Sequence, residues 1–132
     1  MQETPRLQKL VITEPTPATL IAFDNETGVL TMKGHTLPPN SKTFFNPVFE
    51  WLESYLKTKP VKTELNISFD FLHTSASKQV FEIIKLLKSS ETSGNSITVN
   101  WSYESEDEDM HQLGVDFASV LKMKFNYSTF EN

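Results

Sequence analysis

From Val61 to Leu72 the chain alternates with a period of two: Val61, Thr63, Leu65, Ile67, Phe69 and Phe71 on one side, Lys62, Glu64, Asn66, Ser68, Asp70 and Leu72 on the other. That period is the geometry of a β-strand with one apolar face and one mostly wet face. The segment from Ile97 to Tyr103 repeats it. Strands covered by helices on both sides read instead as near-continuous apolar runs. The helices of this chain are therefore expected on a single face of the sheet.

The remaining elements follow from turn and cap signals. Leu7–Ile12, Thr19–Asp24 and Val29–Lys33 read as three early strands, the last two forming a hairpin through Asp24-Asn25-Glu26-Thr27-Gly28. Asn46-Pro47 offers an N-cap followed by a first-turn proline. The stripe Val48, Phe49, Leu52, Tyr55, Leu56 continues helix one, with an extra turn from Ser41 to Phe45 ahead of it. A second helix is expected to open at Thr74 or Ser75, capped by one of them, to bury Val80, Phe81, Ile83, Ile84 and Leu87, and to end before Gly94. The S-x-x-E spacing of Ser105 and Glu108 predicts a capping box for a third helix, with Met110, Leu113, Phe117, Val120 and Leu121 inward and a last strand at Met123–Tyr127. The order is βββαβαβαβ. Helix-length crossovers call for parallel pairing among the later strands and the hairpin adds antiparallel ones. The fold class is thus α/β, a two-layer mixed sheet with three helices on one face, and it resembles the STAS, or anti-anti-sigma-factor-like, architecture.

Composition narrows the function. A chain of 132 residues with ten Phe can bury one core, so a single domain spanning 1–132 is expected, with residues 1–6 as a disordered tail. Apolar runs such as Leu10-Val11-Ile12 are far short of the roughly 20 residues of a membrane span, and no export signal is read, so membrane insertion is not expected. The absence of cysteine removes disulfides, thiolate metal sites and Cys nucleophiles, and a cytoplasmic location is the corresponding expectation. A formal charge of -5 lacks the attraction for phosphate backbones that nucleic-acid binding needs. His35 and His111 show no metal spacing, and the acidic run Glu104–Asp109 lacks the glycine of a calcium loop. That run reads as first-turn carboxylates favoured by the helix dipole, or as a docking patch for a basic partner. No metal and no cofactor is expected.

The most informative segment is Phe69-Asp70-Phe71-Leu72-His73-Thr74-Ser75-Ala76-Ser77-Lys78, where a strand enters a helix through a cluster of hydroxyls. Free backbone N–H groups and the positive dipole end favour an added phosphate there, which makes Thr74, with its neighbour Ser75, a candidate phosphoacceptor. Two alternatives stay open on the residues alone. One is a scaffold domain without switching; the other is a hydrolase using His73 with Thr74 or Ser75, for which no orienting acid is identifiable. The polar sheet residues Lys62, Glu64, Asn66, Ser68 and Asp70 look solvated, so partner contacts are expected around Thr74 instead.

Taken together, several pieces resemble the SiaC family of bacterial regulatory phosphoproteins. They are Thr16-Pro17, Gly34-His35-Thr36-Leu37-Pro38-Pro39-Asn40, Phe45-Asn46-Pro47 with Trp51-Leu52 and Tyr55-Leu56, His73 through Lys78, and Asn100-Trp101-Ser102-Tyr103 with Asp107-Glu108-Asp109-Met110 and Gly114. The resemblance runs from about Leu10 to Phe125. It implies a non-enzymatic switch phosphorylated on Thr74 by a dedicated Ser/Thr kinase and reversed by a PP2C-type phosphatase. Its unphosphorylated form would bind and activate an effector such as a diguanylate cyclase, in cyclic di-GMP and biofilm signalling. His73, Ser75, Ser77, Lys78, Pro39 and Asn40 are the residues expected to meet partners. His73, Ala76 and Pro39 depart from the family pattern, whose phosphorylation motif is of the Asn-Thr-Ser-Ser type.

Overall fold

Residues 7–13, 19–38 and 42–131 are described by the computed structural model. Its elements run β1 (Leu10–Ile12), β2 (Thr19–Asp24), β3 (Val29–Gly34), α1 (Lys42–Lys57), β4 (Lys62–Phe69), α2 (Thr74–Ser89), β5 (Ser96–Glu104), α3 (Glu108–Leu121) and β6 (Asn126–Phe130). This is the βββαβαβαβ order read from the periodicities. The six strands form one sheet in sequential order. β1–β2 and β2–β3 are antiparallel, and β3–β4, β4–β5 and β5–β6 are parallel. Successive parallel neighbours joined by right-handed crossovers place every connecting helix on the same side. α2 accordingly touches both α1 and α3, and the strand residues beneath them, Leu65, Ile67, Phe69, Val99 and Trp101, are buried.

Aromatic residues fix the helices to the sheet. Trp51 stacks on Tyr55 and meets Phe23, and the Tyr55 hydroxyl shares a 2.7 Å hydrogen bond with the hydroxyl of buried Thr63 on β4. Under α3, Trp101 is fully buried, donates from Nε1 to the Met110 carbonyl at 3.0 Å and meets Phe117 edge-on. The opposite face of the sheet is polar. Asn66, Asn100 and Asn126 stand in register on β4, β5 and β6, with Ser68, Ser102 and Ser128 in the next polar row.

Several boundaries differ from the sequence expectations, each for a tertiary reason. β1 begins at Leu10 rather than Leu7, because the Leu7 carbonyl accepts from the Asn25 side chain and the Gln8 carbonyl from Trp51 Nε1. α1 starts at Lys42, in keeping with the extra turn expected ahead of Asn46, so Pro47 lies inside the helix and Asn46 is not its cap. β4 ends at Phe69: Asp70 and Phe71 donate their N–H groups to the His35 carbonyl, the chain leaves the sheet, and Phe71 is exposed; at the other end, Val61 precedes the strand and is exposed as well. The cap of α2 is His73, whose extended backbone carbonyl accepts from Ser77 N–H, and not Thr74 or Ser75.

The last two elements shift for the same kind of reason. Ser105 N–H is held by the Phe130 carbonyl, which takes Ser105 out of the expected capping box. Asp107 caps α3 instead, accepting from Met110 N–H at 3.0 Å. Val120 faces solvent rather than the core. Lys122 in the left-handed region closes α3, and Met123 N–H still bonds to Ala118, so β6 starts only at Asn126. The expected tail 1–6, together with Thr16, Pro17, Pro39, Asn40 and Ser41, lies outside the described residues. Among the described residues no helix is long and apolar enough to cross a membrane.

Candidate functional site

Three loops gather at the C-terminal ends of the parallel strands, the edge at which open α/β sheets place their ligands. They follow β3, β4 and β5. The loop after β4 is tied to the loop after β3 through backbone: Asp70 N–H donates to the carbonyls of Gly34 and His35, and Phe71 N–H to that of His35. Gly34 supports this turn with a positive φ of 135°, a conformation open to glycine and strained for other residues. A side-chain pair spans the same junction, His35 Nδ1 lying 3.2 Å from Asp70 Oδ2.

The chain then enters α2. Thr74 is the first helical residue and is exposed, and its hydroxyl has no hydrogen-bond partner among the described residues. The first intrahelical N–H bond is that of Ser77 to the His73 carbonyl, at 2.8 Å. The backbone N–H groups of Thr74, Ser75 and Ala76 therefore have no acceptor within the helix. His73 offers no side-chain cap, and the first turn holds no acidic residue, so the positive end of a sixteen-residue helix is left uncompensated. An anion attached to Thr74 would meet this field directly. Lys78 stands one turn further along the same helix face, exposed.

The structure thus brings Thr74, Ser75, Ser77, Lys78 and His73 together at one helix start. Ser75 is half-buried, and the Ser77 hydroxyl is spent on the Thr74 carbonyl at 2.8 Å. His73 stacks edge-on against Phe71 at 4.8 Å and makes no hydrogen bond to Thr74 or Ser75, so no nucleophile–base pair is assembled for the hydrolase alternative. The carboxylate on the same loop, Asp70, is directed to His35 instead. Sequence reasoning did not find the His35–Asp70 pair, whose members are 35 positions apart with no shared motif. It also placed Phe71 on the buried strand face. His111, which shows no metal spacing in the sequence, stacks on Tyr103 at 4.5 Å and meets Tyr127 edge-on.

A six-stranded mixed sheet with helices on one face, and an accessible hydroxyl at the helix start beside the strand ends, defines the class of this fold as two-layer α/β. The chain belongs to the SiaC family of regulatory phosphoproteins, whose sequence profile matches residues 12–130. A relative in Pseudomonas aeruginosa (strain UCBPP-PA14), the uncharacterized protein PA14_02130, is 31% identical over 113 residues, covering 86% of this chain and 88% of its own. Among solved structures, the complex of the P. aeruginosa diguanylate cyclase SiaD with its activator SiaC contains a chain similar to this one at TM-score 0.81 and 26% identity, over 92% of this chain and 99% of that one. SiaC of P. aeruginosa in a second structure gives TM-score 0.80 at 25% identity, over 93% and 99%.

Proposed function

We propose that this protein is a non-enzymatic binding switch in the cytoplasm, set by reversible phosphorylation of Thr74, whose unphosphorylated form binds and activates a diguanylate cyclase. The observation that carries the reading is the Thr74 hydroxyl itself: exposed, without a hydrogen-bond partner among the described residues, and seated on a helix start with no side-chain cap and no acidic residue in its first turn. The likeness to SiaC of P. aeruginosa, the activator of SiaD, supports the class of effector. The cysteine-free composition supports the compartment.

The switch is local. Unmodified, the helix start presents a neutral hydroxyl over which a partner can pack. A phosphate adds roughly -1.5 to -2 charges that must be desolvated for the same contact, and Lys78 and the free N–H groups hold that charge in place. A Ser/Thr kinase installs the phosphate and a PP2C-type phosphatase removes it. His73, Ser75, Ser77 and Lys78 form the surface these partners meet, and Pro39 and Asn40, outside the described residues, are the further positions proposed to meet them.

Peptide mass spectrometry of the protein from its native cells, with and without phosphatase treatment, tests the reading. Partial phosphate on the Thr74 peptide is expected, with Thr74→Ala retaining cyclase binding and Thr74→Glu losing it. A Thr74 peptide unmodified across growth conditions, or both variants binding like the parent, would leave a scaffold without a switch.

A further inference from the structure

We propose that a groove between the β4–α2 loop and the start of α3 docks a partner segment carrying an apolar side chain with a lysine or arginine beside it. The groove holds about 280 Å³ and is walled by Phe71, Leu72, Met110 and Leu113 on its apolar side. Three carboxylates, Asp70, Asp107 and Asp109, line the rest. Ten phenylalanines occur in the chain, all of them among the described residues, and Phe71 is the one left exposed, at 48%. An exposed aromatic on the wall of a concave surface is the pattern of an anchor position in protein recognition.

Charge decides the occupant. Asp70 is engaged by His35, and Asp107 spends one oxygen on the Met110 N–H, but Asp109 is exposed and has no partner among the described residues. An acidic peptide or an anionic lipid headgroup would meet three carboxylates. A cation is favoured, and among the described residues no cluster of carboxylates and histidines is arranged to hold a metal ion. The cation is therefore a side chain, and the apolar wall requires that it arrive beside an apolar residue. The groove reuses the acidic run of the sequence, with Asp107 as helix cap and Asp109 as the free charge.

This proposal deepens the switch reading and rests on it for the role of the partner, because Phe71 and Leu72 lead directly into His73 and Thr74. Thr74 itself is not among the lining residues, so the groove's charges act on a partner in either state of the threonine. The groove sets which segment binds, and the helix start sets when.

The test is selection from a random peptide library displayed on phage against the full chain, followed by affinity measurement on the selected peptides. Enriched peptides should pair an apolar residue with a neighbouring Lys or Arg, and bind less tightly as salt rises from about 50 to about 300 mM. Phe71→Ala and Asp109→Lys should each weaken them by about tenfold or more. Both positions are exposed, so the variants should fold, and Asp109→Asn gives a milder check with a smaller loss. Acidic or neutral consensus sequences, no enrichment at all, or affinities untouched by both variants would overturn the proposal. Failure of the switch reading looks different: Thr74→Glu would bind the cyclase like the parent while the groove variants still lost the peptides.

Discussion

Gly114 of α3 faces the indole of Trp101 so closely that a Cβ built on it would stand 2.6 Å from Nε1 and 2.7 Å from Cδ1. The helix approaches the sheet at this point because nothing but hydrogen separates its backbone from the ring. That approach brings the Met110 carbonyl within 3.0 Å of the same Nε1, which satisfies the one polar atom of a fully buried tryptophan. Gly114→Ala should force the indole or the helix to move and strain this bond. The expected cost is about 1–3 kcal/mol, the range for overpacking a filled core, even though alanine is the better helix former. Thermal unfolding followed by circular dichroism would show a melting temperature lowered by roughly 4 °C per kcal/mol for a domain of this size. A variant melting at or above the parent would mean that the contact has slack.

The same pair shows which parts of this fold were legible in the sequence. Strand and helix identities, their order and the single covered face follow from periods of two and 3.6, which the chain displays plainly in Thr63 to Phe69 and Val80 to Leu87. Element ends did not follow, because distant partners decide them. Ser105 has a capping-box spacing but is held by Phe130. Leu7 and Gln8 look like strand residues, yet give their carbonyls to Asn25 and Trp51. At the site, the hydroxyl-rich run announced Thr74, but its role as cap went to His73. The exposure of Phe71 depends on the loop after β3, which no local pattern near Phe71 reports.

Tyr55 makes the stability of the fold depend on alkaline pH. Burial pushes its hydroxyl above the ordinary value of 10, opposed in part by the hydrogen bond to Thr63. The folded chain therefore keeps this proton at pH values where the unfolded chain has lost it. Its contribution is fully present below about pH 10 and falls as pH rises through the raised value. Tyr127 acts in the same direction through burial and its neighbour Tyr103. Tyr55→Phe should cost about 1–3 kcal/mol at neutral pH, since it leaves the buried Thr63 hydroxyl unpaired. The variant should also lose less stability than the parent between pH 9 and 11, as read by denaturant titration across that range. Parallel pH profiles for the two proteins would show that Tyr55 does not titrate with unfolding.

The uncompensated start of α2 predicts a charge effect that needs no partner. Thr74→Glu should stabilise the isolated protein and Thr74→Lys destabilise it, each by about 0.3–1 kcal/mol at low ionic strength. Since Thr74 is exposed, the spread between the two should shrink as salt approaches about 1 M. Melting temperatures in low and high salt suffice to check this. Equal temperatures for the two variants at low salt would mean that another group already neutralises the helix end.

The polar face of the sheet carries a directed chain of amides. Asn126 Nδ2 donates to Asn100 Oδ1 at 3.0 Å, Asn100 Nδ2 to Asn66 Oδ1 at 2.7 Å, and Asn66 Nδ2 to the Glu64 carboxylate at 3.1 Å. Each link runs the same way and the chain ends on a negative charge, so the dipoles reinforce one another. Asn66 and Asn100 each both accept and donate, and Asn100 is the middle amide of the three. Asn100→Asp keeps the shape and the acceptor for Asn126 but removes the donor, setting a carboxylate against the Asn66 carbonyl oxygen. Asn100→Ala opens both links to water, which can replace them on this half-exposed face. The isosteric change should therefore be the more harmful, by about 1–2 kcal/mol, and denaturant unfolding of the two variants would measure the difference. Under the proposed function, binding of a diguanylate cyclase should be unaltered by Asn100→Ala, because the amide chain lies on the face opposite the helices and away from Thr74. If that substitution released the cyclase while the protein remained folded, the binding surface would lie on the polar sheet face instead of at the strand ends.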